Sequence, residues 1–112
     1  MITIWHNPRC SKSRQTLAIV EEKGDVAIRK YLEDAPSADE IRATLDLLGI
    51  TAIEMMRPNE AEFREMGLSR TDNDAKLIAA MAKCPKLIER PIVFTNGKAA
   101  MGRPPENVLG IL

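Results

Sequence analysis

The sequence predicts an α/β fold in which a mixed four-stranded sheet is assembled from the two ends of the chain around an inserted helical block. Three observations predict it. Short runs of β-forming residues stand near both termini, at Ile2 to Trp5 and Ile92 to Thr95. The first is followed by a helical pattern and a second strand pattern, the β-α-β order that makes parallel neighbours. The second is followed by Asn96-Gly97, a strong hairpin signal because both residues tolerate positive φ.

The elements follow in order. After the first strand the chain turns polar at His6, and Pro8-Arg9 leads into Cys10-Ser11. From Lys12 to Lys23 the pattern is helical, with Leu17 and Val20, flanked by Ala18 and Ile19, as the apolar stripe and Gly24 as the stop. Val26 to Leu32 reads as the second strand. Ser37-Ala-Asp-Glu40 matches a capping box, and Ile41, Leu45 and Leu48 then share one face of a helix closed by Gly49. Shorter helices are expected at Ala52 to Met56 and Ala61 to Met66. Thr71 or Asp72 would cap another through about Lys83, burying Leu77, Ile78 and Met81. Lys98 to Met101 returns as the hairpin partner of Ile92 to Thr95. Pro104-Pro105 opens a final helix, Glu106 to Leu112, with proline in its tolerated first turn. The order β-α-β, helical block, β-β-α is the thioredoxin arrangement. It implies a single domain, residues 1–112, with a helical insertion at about 33–89.

Composition narrows the function classes. Lys plus Arg and Asp plus Glu number 16 each, so no global field draws the chain to nucleic acid or membrane, and any anion site must be a local cluster. The opening apolar run is too short for a signal peptide, and no stretch approaches the roughly 20 apolar residues of a membrane helix. Cys10 and Cys84 are too few for a secreted disulfide framework, so free thiols in the cytoplasm are the expectation. One histidine and two distant cysteines do not complete a metal site.

Cys10 carries the chemistry. It lies between a strand and a helix, where unpaired N–H groups and the helix dipole favour thiolate over thiol. Arg9, Lys12 and Arg14 add nearby positive charge. The motif is Cys10-Ser-Lys-Ser13, so the position that would hold a resolving cysteine is a hydroxyl, and an adduct on Cys10 needs an outside thiol. Ser13 is either a helix-cap hydroxyl or a donor to the sulfur. His6 is structural, or an imidazolium that holds the thiolate if the loop folds back. Where a cysteine-phosphatase loop carries its arginine the chain has Thr16, which excludes that class. Arg57, Arg90 and Arg103 each precede a proline, and their planar forks suit tetrahedral oxyanions. Arg90 enters a strand beside Pro91, a candidate cis-proline. Cys84, before Pro85 at a helix end, reads as an incidental thiol.

The stretch His6-Asn-Pro-Arg-Cys-Ser-Lys-Ser-Arg14 resembles the active-site signature of the arsenate reductases that use glutathione and glutaredoxin. Tyr31-Leu-Glu33, Gly67-Leu68, Glu89-Arg-Pro-Ile-Val93 and Gly102-Arg-Pro-Pro-Glu106 extend the likeness over essentially the whole chain, toward a shorter bacterial branch of that family. The resemblance implies a thioredoxin-like fold and a Cys10 nucleophile. It implies oxyanion-binding Arg57, Arg90 and Arg103, with His6, Ser13 and Arg14 in support. Pro58 departs from the basic residue the family pattern has after its first arginine. The implied reaction reduces arsenate to arsenite through a thioarsenate on Cys10. Glutathione is the co-substrate, glutaredoxin the partner that clears the remaining disulfide, no cofactor is bound, and the chain acts as a monomer. Two other readings stand beside it. One is a glutathione-linked oxidoreductase with another substrate. The other is a regulator like the Spx proteins that bind RNA polymerase, which usually carry a second cysteine where this chain has Ser13.

Overall fold

The computed structural model describes residues 1–112, and the chain divides into two compact units. The first comprises Met1–Asp34 and Arg90–Leu112; the second is Ala35–Glu89.

The first unit is built on a four-stranded sheet. Its elements are β1 (Ile2–Trp5), α1 (Ser11–Glu21), β2 (Val26–Arg29), β3 (Ile92–Thr95) and β4 (Lys98–Met101), followed by a 3-10 helix, Pro105–Ile111. The order across the sheet is β2-β1-β3-β4. β1 pairs parallel with β2 from Ile2↔Val26 to Trp5↔Arg29, and antiparallel with β3 through Ile4↔Val93. The sheet is thus mixed, and the fold is thioredoxin-like. Alternation along β1 and β3 sends Ile2, Ile4 and Val93 to one face, where they form a core with Val20 of α1 and Val108 of the 3-10 helix. Each such side chain contributes on the order of 1.5–3 kcal/mol by leaving water. Trp5 and Phe94 face the other way and meet at 5.0 Å between ring centroids. Asn96 (φ 55°) and Gly97 (φ 70°) both take positive φ, the geometry that lets a two-residue turn follow the strand twist.

Three local features of this unit differ from the sequence reading. β2 stops at Arg29 rather than Leu32, because the last rung it can form is His6 N–H to the Arg29 carbonyl at 2.8 Å. The chain then turns, with the N–H groups of Glu33 and Asp34 both donating to the Lys30 carbonyl at 2.9 Å. α1 buries Ser13, Thr16 and Val20, while Ala18 is exposed, so the buried stripe is polar in its first turns. The C-terminal helix is 3-10 rather than α. The Asn107 side chain donates to the Arg103 carbonyl at 3.0 Å, the acceptor an α-helical bond would use, and its N–H takes the Pro104 carbonyl at 3.0 Å.

The second unit holds α2 (Ala38–Leu48), α3 (Ala61–Glu65) and α4 (Asp74–Lys83), with 3-10 turns at Ile53–Met55 and Pro85–Leu87. The capping box at its start is formed on both sides: Glu40 N–H donates to Ser37 Oγ at 3.1 Å and Ser37 N–H to Glu40 Oε1 at 3.0 Å. α4 is capped by Asn73, not by Thr71 or Asp72. Asn73 Oδ1 accepts from Lys76 N–H at 2.9 Å, whereas Asp72 accepts from Ser69 N–H at 2.8 Å and pairs with Lys76. Ile41, Leu45, Leu77, Ile78 and Met81 are buried. A bridge between Met56 and Ile88, flanked by Arg57 N–H to the Leu87 carbonyl at 2.8 Å, closes the unit near its exit.

Candidate active site

Asn7 shapes the loop that delivers Cys10 to the start of α1. Its carbonyl accepts from Cys10 N–H at 3.0 Å, its side-chain oxygen accepts from Arg9 N–H at 3.0 Å, and its own N–H donates to Ser13 Oγ at 3.0 Å. Sequence reasoning passed over this residue, although an asparagine ahead of a proline is a familiar turn former. Cys10 then occupies the N-cap position with extended backbone, φ −96° and ψ 124°. A serine or aspartate in that place would cap the helix with oxygen; here sulfur faces the same orphan N–H groups. The thiol is half-buried, and Cys10 and Cys84 are both free.

Burial is the largest single influence on Cys10 and opposes ionisation. It is outweighed by the Ser13 N–H, the charge of Arg90, the Lys12 N–H and a hydrogen bond from the Arg90 side chain. The net result holds the thiol below its ordinary pKa, so thiolate is enriched near neutrality. The side chain whose charge and hydrogen bond act on the sulfur is therefore Arg90. The sequence had placed that charge on Arg9, Lys12 and Arg14. Lys12 acts through its backbone, and the Arg14 guanidinium donates to the Pro8 carbonyl at 2.9 Å, fastening the loop.

His6 and Ser13 form a buried pair, Nδ1 to Oγ at 2.6 Å. Burial first, then the charges of Lys30 and Arg14, lowers the His6 pKa below the usual imidazole value. That direction disfavours the imidazolium form and so weighs against the ring serving as counter-ion to the thiolate. Its contact is with the Ser13 hydroxyl, which also receives Asn7 N–H. Ser13 thus braces the loop with its side chain and favours the thiolate with its backbone.

Two of the three candidate oxyanion arginines, Arg90 and Arg103, flank the β3–β4 hairpin of this unit. The Arg90–Pro91 and Arg103–Pro104 peptide bonds are both cis. Arg103 Nη1 donates to the Arg90 carbonyl at 3.2 Å, and Gly102 N–H donates to the Pro91 carbonyl at 2.9 Å, so the two arginine–proline pairs sit side by side. Gly102 lies against α1. A Cβ there would stand 2.8 Å from Pro91 Cγ and 2.9 Å from the Thr16 methyl, and would strike the Thr16 hydroxyl. Thr16 is fully buried, with its hydroxyl turned back to the Lys12 carbonyl at 2.8 Å. This interlock of Thr16, Pro91 and Gly102 escaped the sequence reading; the Gly102-Arg-Pro-Pro stretch was its visible half. Arg57 belongs to the second unit, where its guanidinium pairs with Glu60 at 2.7 Å and, more loosely, Glu89 at 3.9 Å.

One consequence is measurable on the thiol itself. The pH profile of Cys10 alkylation in a Cys84→Ser background should have its midpoint below the ordinary thiol value of about 8.5. Arg90→Gln should move it up and slow alkylation at pH 7 by roughly three- to tenfold, since it removes both a charge and a donor. An unchanged profile would show that Arg90 does not act on the sulfur.

A thioredoxin-like sheet carrying an activated cysteine at the α1 N-cap, with a serine three residues on and arginines beside a cis-proline, defines a class of thiol protein. A model of the ArsC family matches residues 5–111, and the chain belongs to that family. It is 47% identical to a Neisseria meningitidis protein named arsenate reductase, covering 99% of this chain and 97% of that one. It is 43% identical to the Haemophilus influenzae protein of the same name, covering 99% and 98%. A solved structure named arsenate reductase from Vibrio cholerae shares 49% identity and superposes with a TM-score of 0.93 over 99% of this chain and 97% of that one.

Proposed function

We propose that this protein is an arsenate reductase that works through Cys10 and relies on glutathione and glutaredoxin for its electrons. The observation that carries the reading is the set of groups around one sulfur: helix N–H groups and Arg90 stabilise a thiolate, and the same donors suit an incoming oxyanion. The names of the relatives supply the substrate.

In this scheme Arg90 and Arg103 hold the tetrahedral anion at the α1 N-terminus, and Arg57 is the third arginine the family pattern assigns. The Cys10 thiolate attacks arsenic, and an arsenic oxygen leaves as water after protonation, giving a Cys10–S–As(V) adduct. Glutathione displaces a second oxygen. The two sulfurs then join, passing two electrons to arsenic, and arsenite departs as As(III). What remains is a Cys10–glutathione disulfide. Ser13 cannot attack it, so the glutaredoxin thiol does, taking the glutathionyl group and returning Cys10 as a thiol. No cofactor need be resident, and the cytoplasm, where both thiol partners reside, is the location that fits.

The test is arsenate-dependent NADPH oxidation in a coupled assay with glutathione, glutaredoxin and glutathione reductase. Turnover that requires all three supports the reading. Absence of arsenate-dependent turnover in a demonstrably folded protein would overturn it.

A further inference from the structure

Tyr31-Leu-Glu33, among the stretches that carry the resemblance, has no task in the mechanism, and the structure places two of its residues on a cleft of about 310 Å³. One wall of that cleft is the loop His6 to Arg9. The other is formed by Lys30, Leu32 and Glu33. The volume falls at the lower end of the range typical of small-ligand sites. The loop wall is the segment that delivers the nucleophile, because Cys10 N–H is tied to the Asn7 carbonyl in its middle at 3.0 Å. The opposite wall exists because β2 ends early: the tight turn on the Lys30 carbonyl sets Lys30, Leu32 and Glu33 beside the loop.

We infer that this cleft binds the non-reacting arms of glutathione, and so sets the approach of the resolving thiol to Cys10. The inference rests on the proposed reading that an outside thiol clears the Cys10 adduct. The chemistry of the cleft matches that ligand in charge and order. Glutathione is a short peptide with two carboxylates, one ammonium group and a thiol between its ends. Arg9 and Lys30 supply two cations, Glu33 one carboxylate, and the net charges are opposite. Leu32, 44% exposed, and Pro8 supply apolar contact for the methylene-rich middle of the peptide. The charged groups sit at an exposed rim, so each contributes modestly and the complex is weak and quickly exchanged, as a co-substrate requires.

The role separates from general attraction of an anion. Removing a positive charge weakens both kinds of binding, but removing the Glu33 carboxylate weakens only a site that uses it to hold an ammonium group. Lys30→Gln and Glu33→Gln should each lower kcat/KM for glutathione, relative to that for 2-mercaptoethanol, by roughly two- to fivefold. A ratio that is unchanged, or that rises in Glu33→Gln, would overturn the inference. Binding is read independently of turnover by titrating the wild-type protein with S-methylglutathione and following backbone amide resonances. Shifts should concentrate at Asn7, Arg9 and the Lys30–Glu33 turn. Shifts absent there, or confined to the Arg90–Pro91 side, would overturn the inference while leaving arsenate reduction standing. Binding in the cleft without arsenate turnover would do the reverse: the cleft would stand and the arsenate reading would fall.

Discussion

Cys10→Ser is expected to reduce arsenate-dependent turnover by more than about a thousandfold, as loss of an enzyme's nucleophile does. Serine has no accessible oxyanion at neutral pH and cannot form the disulfide that delivers electrons to arsenic. The same change should leave the fold intact. Cys10 is half-buried at an N-cap, and serine is among the preferred residues there, so helix α1 should be as stable or more stable, by up to about 1 kcal/mol. Urea unfolding of the variant checks the second half. Turnover that survives the substitution in a folded protein would remove Cys10 from the mechanism. Cys84→Ser serves as the control and should retain activity, because no step of the mechanism uses Cys84, which caps the C-terminal end of α4.

Gly102→Ala should produce the second large effect. The added methyl would meet Pro91 and both branches of Thr16 at distances real side chains do not tolerate, and Pro91 and Thr16 are themselves buried. Overpacking of this kind costs about 1–3 kcal/mol, occasionally more. The strain falls between α1, which positions Cys10, and the hairpin that carries Arg90 and Arg103. The urea midpoint should drop, and Cys10 alkylation at pH 7 should slow in whatever fraction remains folded. Adding Thr16→Ala should recover part of the lost stability by clearing two of the three colliding atoms. A double variant no better than Gly102→Ala alone would show that Thr16 is not what the glycine accommodates.

Features that depend on near neighbours in sequence were legible before the structure. The strands Ile2–Trp5 and Ile92–Thr95, the Asn96-Gly97 turn and the Ser37–Glu40 capping box each rest on a few adjacent residues whose chemistry permits one geometry. Features decided by a distant partner were not. β2 read as three residues longer, to Leu32, yet its length is set by where β1 stops offering hydrogen bonds. The C-terminal helix is 3-10, and in its first turn the Asn107 side chain occupies the Arg103 carbonyl that an α-helical bond would use. The site divides in the same way. Cys10 was readable from its position between strand and helix. Its cation was not, because Arg90 reaches it from a distant part of the chain while the nearby Arg14 guanidinium donates to the Pro8 carbonyl. Between the two roles the sequence left open for His6, burial and the charges of Lys30 and Arg14 favour the neutral ring, and no local pattern reports burial.

The proposed reaction stands on arsenic being reduced at Cys10 with an outside thiol as partner. The most direct measurement is peptide mass mapping after incubation with arsenate and glutathione, with glutaredoxin withheld. The expected result is one glutathione in disulfide linkage on the peptide containing Cys10, formed only when arsenate is present and removed on adding glutaredoxin. Arsenite formation without that adduct, or with the glutathione on Cys84, would contradict it.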